Sequence, residues 1–212
     1  LKRWAFPLFL VAFFAAWTLR ATVFYTLDER LDPRLARPLA SLAIKALLWV
    51  LPAIGYVRFV DGRNPAAALL LTTLPSRSML PRVALWIAGY SAAVALSLAS
   101  RPWRPVGEWP LVLLSVALSP LLEEILFRGL VLGELSTRLG FALGNVATSA
   151  LFVLVHMPYW LSYEGPGRGL PHVSAAIFGL SFFLGWVVRA TGSLWPAVVL
   201  HVANNFINGI VR

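Results

Sequence analysis

The stretch WPLVLLSVALSPLLEEILFRGLVLGEL, Trp109 to Leu135, decides how this chain is read. It is long and apolar enough to cross a bilayer, yet it carries Glu123, Glu124 and Arg128 at its middle. A charge in the hydrocarbon core costs about 2.5–3.5 kcal/mol on insertion scales, so ionisable side chains at that depth mark a pathway or a reactive centre. Successive helical residues turn by about 100°, which puts Glu124 and Arg128, at i,i+4, on one face and Glu123 on another. Glu124 is thereby placed to pair with Arg128, and Glu123 is left as the carboxylate available to a water or a substrate. Pro120 frees a backbone carbonyl and can bend the helix, as membrane helices tolerate where they line a cavity. The Gly129-x-x-x-Gly133 spacing predicts close helix packing after the motif. The structural alternative is an ion-pair knot between helices with no chemistry.

Composition fixes the class around this stretch. Of 212 residues, 59% are hydrophobic and 13% charged, and the mean hydropathy is +0.77, more apolar surface than a soluble core could hide. The chain reads as an all-α, polytopic bundle of transmembrane helices, integral to the membrane, with the bilayer itself as its first partner. Trp4, Trp49, Trp103, Trp109, Trp160 and Trp195 lie near the ends of apolar runs and are expected at the headgroup level. A net charge of +9 raises the question of nucleic acid, but the basic residues are scattered singly between apolar runs, so they read as membrane-flanking arginines and no nucleic-acid partner is expected. The absence of cysteine excludes disulfides, thiolate metal sites and a cysteine nucleophile. The abundance of Ala, Arg, Leu and Pro points to a GC-rich bacterial gene and an inner or plasma membrane.

A helix needs about 20 residues to cross some 30 Å of hydrocarbon, and on that measure we expect about seven spans. They run approximately over 5–27, 38–60, 81–100, 109–135, 141–162, 173–190 and 193–211. The first is too long to be a removed signal peptide and lacks a small-residue cleavage site. The piece 66–74 is too short to span and reads as re-entrant or interfacial. Residues 1–108 form amino-terminal helices without a recognised motif, and 109–212 a helical core that carries the polar motifs, the two being one integrated membrane domain.

Two later spans add polar faces. His156 follows Phe152 by one helical turn, in a span whose Asn145, Thr148 and Ser149 fall near the same side. Such a histidine is either a helix–helix contact or a proton carrier. His201 and Asn205 are again i,i+4, with Asn208 a further turn along, while Asn204 lies off that stripe and is expected to serve packing. Three helices, each with one polar face, point to a shared internal site. His172, beside Pro171 in a Gly- and Pro-rich loop, is expected to face solvent without a role.

Glu123-Glu124-x-x-x-Arg128, Phe152-x-x-x-His156 and His201-x-x-x-Asn205, in that order on three late helices, resemble the signature of the CPBP family, the CAAX-protease and bacteriocin-processing (Abi) intramembrane proteases. The resemblance covers the chain from about Trp109 onward. It implies an all-helical fold with the active site in a cavity within the membrane, glutamate-dependent endopeptidase activity, and a membrane-associated protein or peptide as substrate. Carried over by position, Glu123 is implied as the base that activates water, His156 as its partner, and His201 with Asn205 as the pair that stabilises the oxyanion. Glu124, Arg128 and Phe152 are implied as supporting residues, and no metal or cofactor is implied.

Elementary chemistry agrees with the reaction. Peptide hydrolysis needs an activated water and donors aimed at the developing oxyanion, and losing one such donor costs on the order of 10²–10³ in rate. No Gly-x-Ser-x-Gly motif competes. Two alternatives stay open. A zinc-dependent CAAX-type metalloprotease could use Glu123, His156 and His201 as ligand types, although no His-Glu-x-x-His helix is present. A transporter or scaffold could use the same buried charges without chemistry, although paired discontinuous repeats are not evident.

Overall fold

The computed structural model describes residues 2–24, 30–32, 36–100, 114–164, 167 and 170–210. These residues form helices and turns without any strand: α1 (Trp4–Val23), α2 (Ala36–Val60), α3 (Arg77–Ser97), α4 (114–139), α5 (Phe141–Ser162), α6 (Leu170–Thr191) and α7 (Trp195–Ile210). Five of them, α1, α2, α3, α5 and α6, are long and apolar enough to cross a membrane. That is fewer than the seven spans the sequence suggests, and the two that fall short are α4 and α7, which carry motifs. Along α4 lie Glu123, Glu124, Arg128, Glu134 and Arg138, while α7 has 16 residues and so rises only about 24 Å. Residues 101–113, which include the expected interfacial Trp103 and Trp109 and the start of the motif span, lie outside the described residues.

The outer surface is apolar, as a lipid-facing one must be. Leu8, Val11, Leu47, Phe59, Leu85, Leu96 and Val173 are all exposed, from four different helices, a pattern a water-soluble monomer would not sustain. Inside, a chain of rings runs from α1 through α2 and α4 to α5. Trp17 meets Trp49 at 4.9 Å between centroids, Trp49 meets Phe127 at 5.7 Å, and Phe127 meets Phe152 at 4.9 Å, each near edge-on. Such tilted pairs add roughly 0.5–1.5 kcal/mol beyond area burial. Trp49 is therefore a core residue, 1% exposed, and not the interfacial anchor its place in the sequence suggests. Trp4 stays exposed, and Trp195 uses its indole N–H to bond the Leu71 carbonyl at 3.0 Å.

Packing around α4 sets the site. Gly140, at φ +78°, turns the chain sharply from α4 into α5 in a conformation that glycine adopts without strain. A Cβ on Gly144 would lie 2.8 Å from the Ser136 backbone nitrogen, so α4 and α5 touch backbone to backbone. The Asn145 side chain fills the place that a Cβ on Gly185 would take, so α6 meets α5 through that side chain. The Gly129-x-x-x-Gly133 reading holds only at its first position: a Cβ on Gly129 would press on Leu69 at 3.2 Å, whereas Gly133 has nothing within 4 Å. The short segment between α2 and α3 makes one helical turn, Pro65–Ala68, capped by Asn64 Oδ1 accepting from the Ala66 N–H at 2.9 Å. Farther along that segment, the Thr73 carbonyl accepts from the Ser193 hydroxyl at 2.6 Å, which ties it to the turn between α6 and α7.

Candidate active site

Glu123 and Glu124 end an α-helical turn, Ser119–Glu124, after which α4 widens into a π-helical stretch, Ile125–Val131, of the kind often found at functional sites. Both carboxylates are buried, and their environments differ. Glu124 Oε1 accepts from Arg128 Nη1 at 3.0 Å and from His201 Nδ1 at 2.8 Å. Arg128 spends its other terminal nitrogen on α6, donating from Nη2 to the Ser181 carbonyl at 3.1 Å and to its hydroxyl at 3.0 Å. Its guanidinium also covers the Phe152 ring at 4.7 Å. One arginine thus joins α4, α5 and α6 while it neutralises Glu124.

Glu123 faces α2 and α7. Lys45, on α2, donates from Nζ to Glu123 Oε1 at 2.6 Å and to the Ser119 hydroxyl at 2.7 Å, and Ser119 in turn donates to the same Oε1 at 3.1 Å. Oε2 points instead to His201 Nε2, 3.8 Å away. Because Glu124 and Arg128 form an ion pair, the oxygen facing His201 Nδ1 is a carboxylate acceptor, so Nδ1 carries a hydrogen. His201 Nε2 then accepts a proton when the ring is neutral and donates one when the ring is an imidazolium.

His156 is placed by a break in its helix. Pro158 has no N–H, and α5 loosens into a turn at Val155–His156 before resuming. In that turn the Val155 carbonyl accepts from the Trp17 indole at 2.8 Å, which ties α5 to α1. His156 Nδ1 lies 2.8 Å from the Phe152 carbonyl, and a carbonyl only accepts, so Nδ1 bears the hydrogen and Nε2 keeps a lone pair in the neutral ring. The ring is sandwiched by Trp160, stacked at 5.3 Å, and Phe152, edge-on at 5.2 Å. His156, Glu123 and Lys45 line one cavity of about 200 Å³, walled by Trp17, Trp49 and Tyr159.

Of the residues singled out in the sequence, Glu123, Glu124, Arg128, Phe152, His156 and His201 are brought together. Phe152 is the hub, with ring contacts to Arg128, to His156 and, at 5.9 Å, to His201. Asn205 sits a turn beyond His201, where its Oδ1 accepts from Asn204 at 3.1 Å. Asn204 is fixed by Tyr90 of α3, whose hydroxyl donates to its Oδ1 at 2.9 Å, in keeping with the packing role expected of it. Asn208 bonds back to the Asn204 carbonyl at 2.8 Å. The polar residues of α5 serve packing: Asn145 donates to the Phe182 carbonyl at 2.9 Å, and Thr148 and Ser149 bond the carbonyls one turn back in their own helix. His172 is exposed in the first turn of α6.

Lys45 is the site residue that the motifs do not announce. Its signal is nonetheless present, since a lysine inside the apolar run of α2 is the same anomaly as the charges of α4. Ser119 and Ser181 carry no such signal, because serines bond their own helix backbone as readily as a neighbour. Among the described residues no group of three or more His, Asp or Glu side chains is arranged to hold a metal ion.

Residues 105–207 match the family model described as Rce1-like, type II CAAX prenyl endopeptidase Rce1-like. No curated protein and no solved structure gave a match.

Proposed function

We propose, from the match of residues 105–207 to the Rce1-like CAAX endopeptidase family, that this membrane protein hydrolyses its substrate peptide with a water activated by Glu123 and His156. The observation that carries the reading is the division of labour between the two glutamates. Glu124 is consumed by Arg128 and His201, while Glu123 keeps Oε2 directed at His201 in a carboxylate that borders the cavity.

The chemistry balances within these residues. A water between Glu123 Oε2 and His156 Nε2 gives up a proton to the carboxylate as its oxygen bonds the scissile carbonyl carbon, and the carbonyl π electrons move to the oxygen. His201, donating from Nε2 as an imidazolium, and the Asn205 carboxamide stabilise that oxyanion. Collapse breaks the C–N bond, and the proton held by Glu123 passes to the leaving amine. Glu124 keeps His201 oriented, and Arg128 pairs with Glu124 while it anchors α4 to α6.

Glu123→Gln removes the proton acceptor and His156→Ala the lone pair that orients the water, and neither removes a helix. Each is expected to lower cleavage of a prenylated CAAX-type peptide in liposomes by about 10²–10⁴-fold while the purified protein stays folded. Full activity in either variant would strike that residue from the mechanism. Treatment with EDTA or phenanthroline is expected to leave cleavage intact, because a water activated by Glu123 and His156 needs no metal ion. Stoichiometric zinc, with activity lost on chelation and restored by zinc alone, would instead favour the metalloprotease.

A further inference from the structure

We infer that Lys45, in the half of the chain that carries no family motif, is the positioning residue that leaves one oxygen of Glu123 free to act; the inference rests on Glu123 being the base. Three observations carry it. First, Lys45 Nζ and the Ser119 hydroxyl both donate to Oε1, at 2.6 and 3.1 Å, and neither is bonded to Oε2. The carboxylate is therefore clamped at one oxygen and open at the other, the one nearer His201. Second, the ammonium itself is held: it donates to Ser119 at 2.7 Å and sits over the Trp49 ring at 4.8 Å, with Trp17 on another side at 6.0 Å. Trp49 is a fully enclosed core side chain, 1% exposed, so the clamp is mounted on the packed interior of the bundle.

The third observation is the residue type. The chain has 18 basic residues, and all are arginine except Lys2 and Lys45. The fully buried carboxylate, Glu124, is paired with an arginine, whereas the carboxylate that borders the cavity is paired with a lysine. A guanidinium is a planar fork that favours bidentate contact with both oxygens of a carboxylate, whereas an ammonium is a compact point charge that can serve one. Arg128 meets Glu124 through Nη1 alone because Ser181 takes its Nη2; at position 45 an arginine would keep the charge and bring a second donor within reach of the oxygen needed for the proton. Positive charge alone thus does not meet the requirement; a single-point donor does.

This makes the conservative substitution the informative one. Lys45→Arg is expected to fold like the parent and to lose about 10²-fold in kcat with KM within about threefold, as for a group that acts on the chemical step and not on substrate binding. Lys45→Met is expected to lose as much, and, because Lys45 acts through Glu123, to cause no further loss in the Glu123→Gln background. The absence of native cysteine allows a direct rescue. Lys45→Cys, alkylated with bromoethylamine, regains a lysine-length ammonium and is expected to recover most of the parent kcat, whereas the same thiol capped with iodoacetamide is not. Should Lys45→Met fail to fold, the arginine and aminoethyl proteins decide the matter by themselves.

Full kcat in Lys45→Arg would overturn the inference, as would a folded aminoethyl protein that stays inactive. A rise in rate in Lys45→Met would overturn it too, by showing that the ammonium restrains Glu123. Activity surviving Glu123→Gln would remove the base itself; loss in Glu123→Gln with full activity in Lys45→Arg would remove only the role assigned to Lys45.

Discussion

The helix α4 carries two glutamate–arginine pairs at the same i,i+4 spacing, and they have little else in common. Glu124–Arg128 closes at 3.0 Å with both side chains wholly enclosed, whereas Glu134–Arg138 closes at 3.3 Å with its members 14% and 34% exposed. The first pair is completed by Ser181, His201 and the Phe152 face, so each partner has further fixed neighbours. The second shares its glutamate with Arg63 at 3.5 Å, itself more than half exposed. Water can replace the partners of the outer pair and has no access to those of the inner one. Sequence spacing therefore makes a pair possible, and depth decides what it is worth: about 0.3–0.5 kcal/mol for an exposed helix pair, against about 3–5 kcal/mol lost when a buried pair is broken.

The sharpest way to break this comparison is Arg128→Ala, expected to cost about 3–5 kcal/mol of stability, measured by unfolding in mixed micelles, and activity with it. Normal stability without activity would transfer Arg128 from support to substrate binding. A charge exchange sharpens the same point. Glu124→Arg with Arg128→Glu restores opposite charges but sets a carboxylate against the Ser181 carbonyl and a guanidinium against His201 Nδ1, so the double variant is expected to be no more stable than Arg128→Ala. The matching exchange at Glu134 and Arg138 gives up the contacts of Arg138 with the Phe6 ring and of Glu134 with Arg63, and should cost only about 1–2 kcal/mol. Recovery of the inner exchange would mean that Coulomb attraction alone holds the site. The smallest effect is expected for Arg138→Ala, about 0.5–1 kcal/mol, because Arg138 also covers the Phe6 ring at 5.2 Å. Only its ion-pair part should disappear when unfolding is repeated at 1 M salt, where the Debye length is about 3 Å.

The inner pair is legible in the sequence because both partners lie on one helix, where a fixed turn per residue converts spacing into geometry. The same rule separates Glu123 from Glu124, and the structure keeps that separation. Contacts that cross between helices are not legible, since they depend on helix order and rotation. Glu123 to Lys45, Arg128 to Ser181 and Asn204 to Tyr90 all span more than fifty positions of sequence. Trp49 fails for a related reason: a tryptophan within an apolar run suits an interface or a core equally, and only the neighbouring rings of Trp17 and Phe127 decide. The polar face of α5 misleads because Thr148 and Ser149 satisfy their hydroxyls one turn back in their own helix.

The bond from the Trp17 indole to the Val155 carbonyl has a bearing on how a peptide could enter. Trp17 walls the cavity, so shifting α1 is one way to widen it, and such a shift takes the indole donor away from the turn where α5 breaks ahead of Pro158. A hydrogen bond of that kind contributes about 0.5–1.5 kcal/mol, and this one lies a single residue before His156. Entry past α1 would therefore loosen the histidine in the act of admitting substrate, and closure would restore it. The contact that ties α1 to α5 is thus also one of the contacts that hold the turn carrying His156.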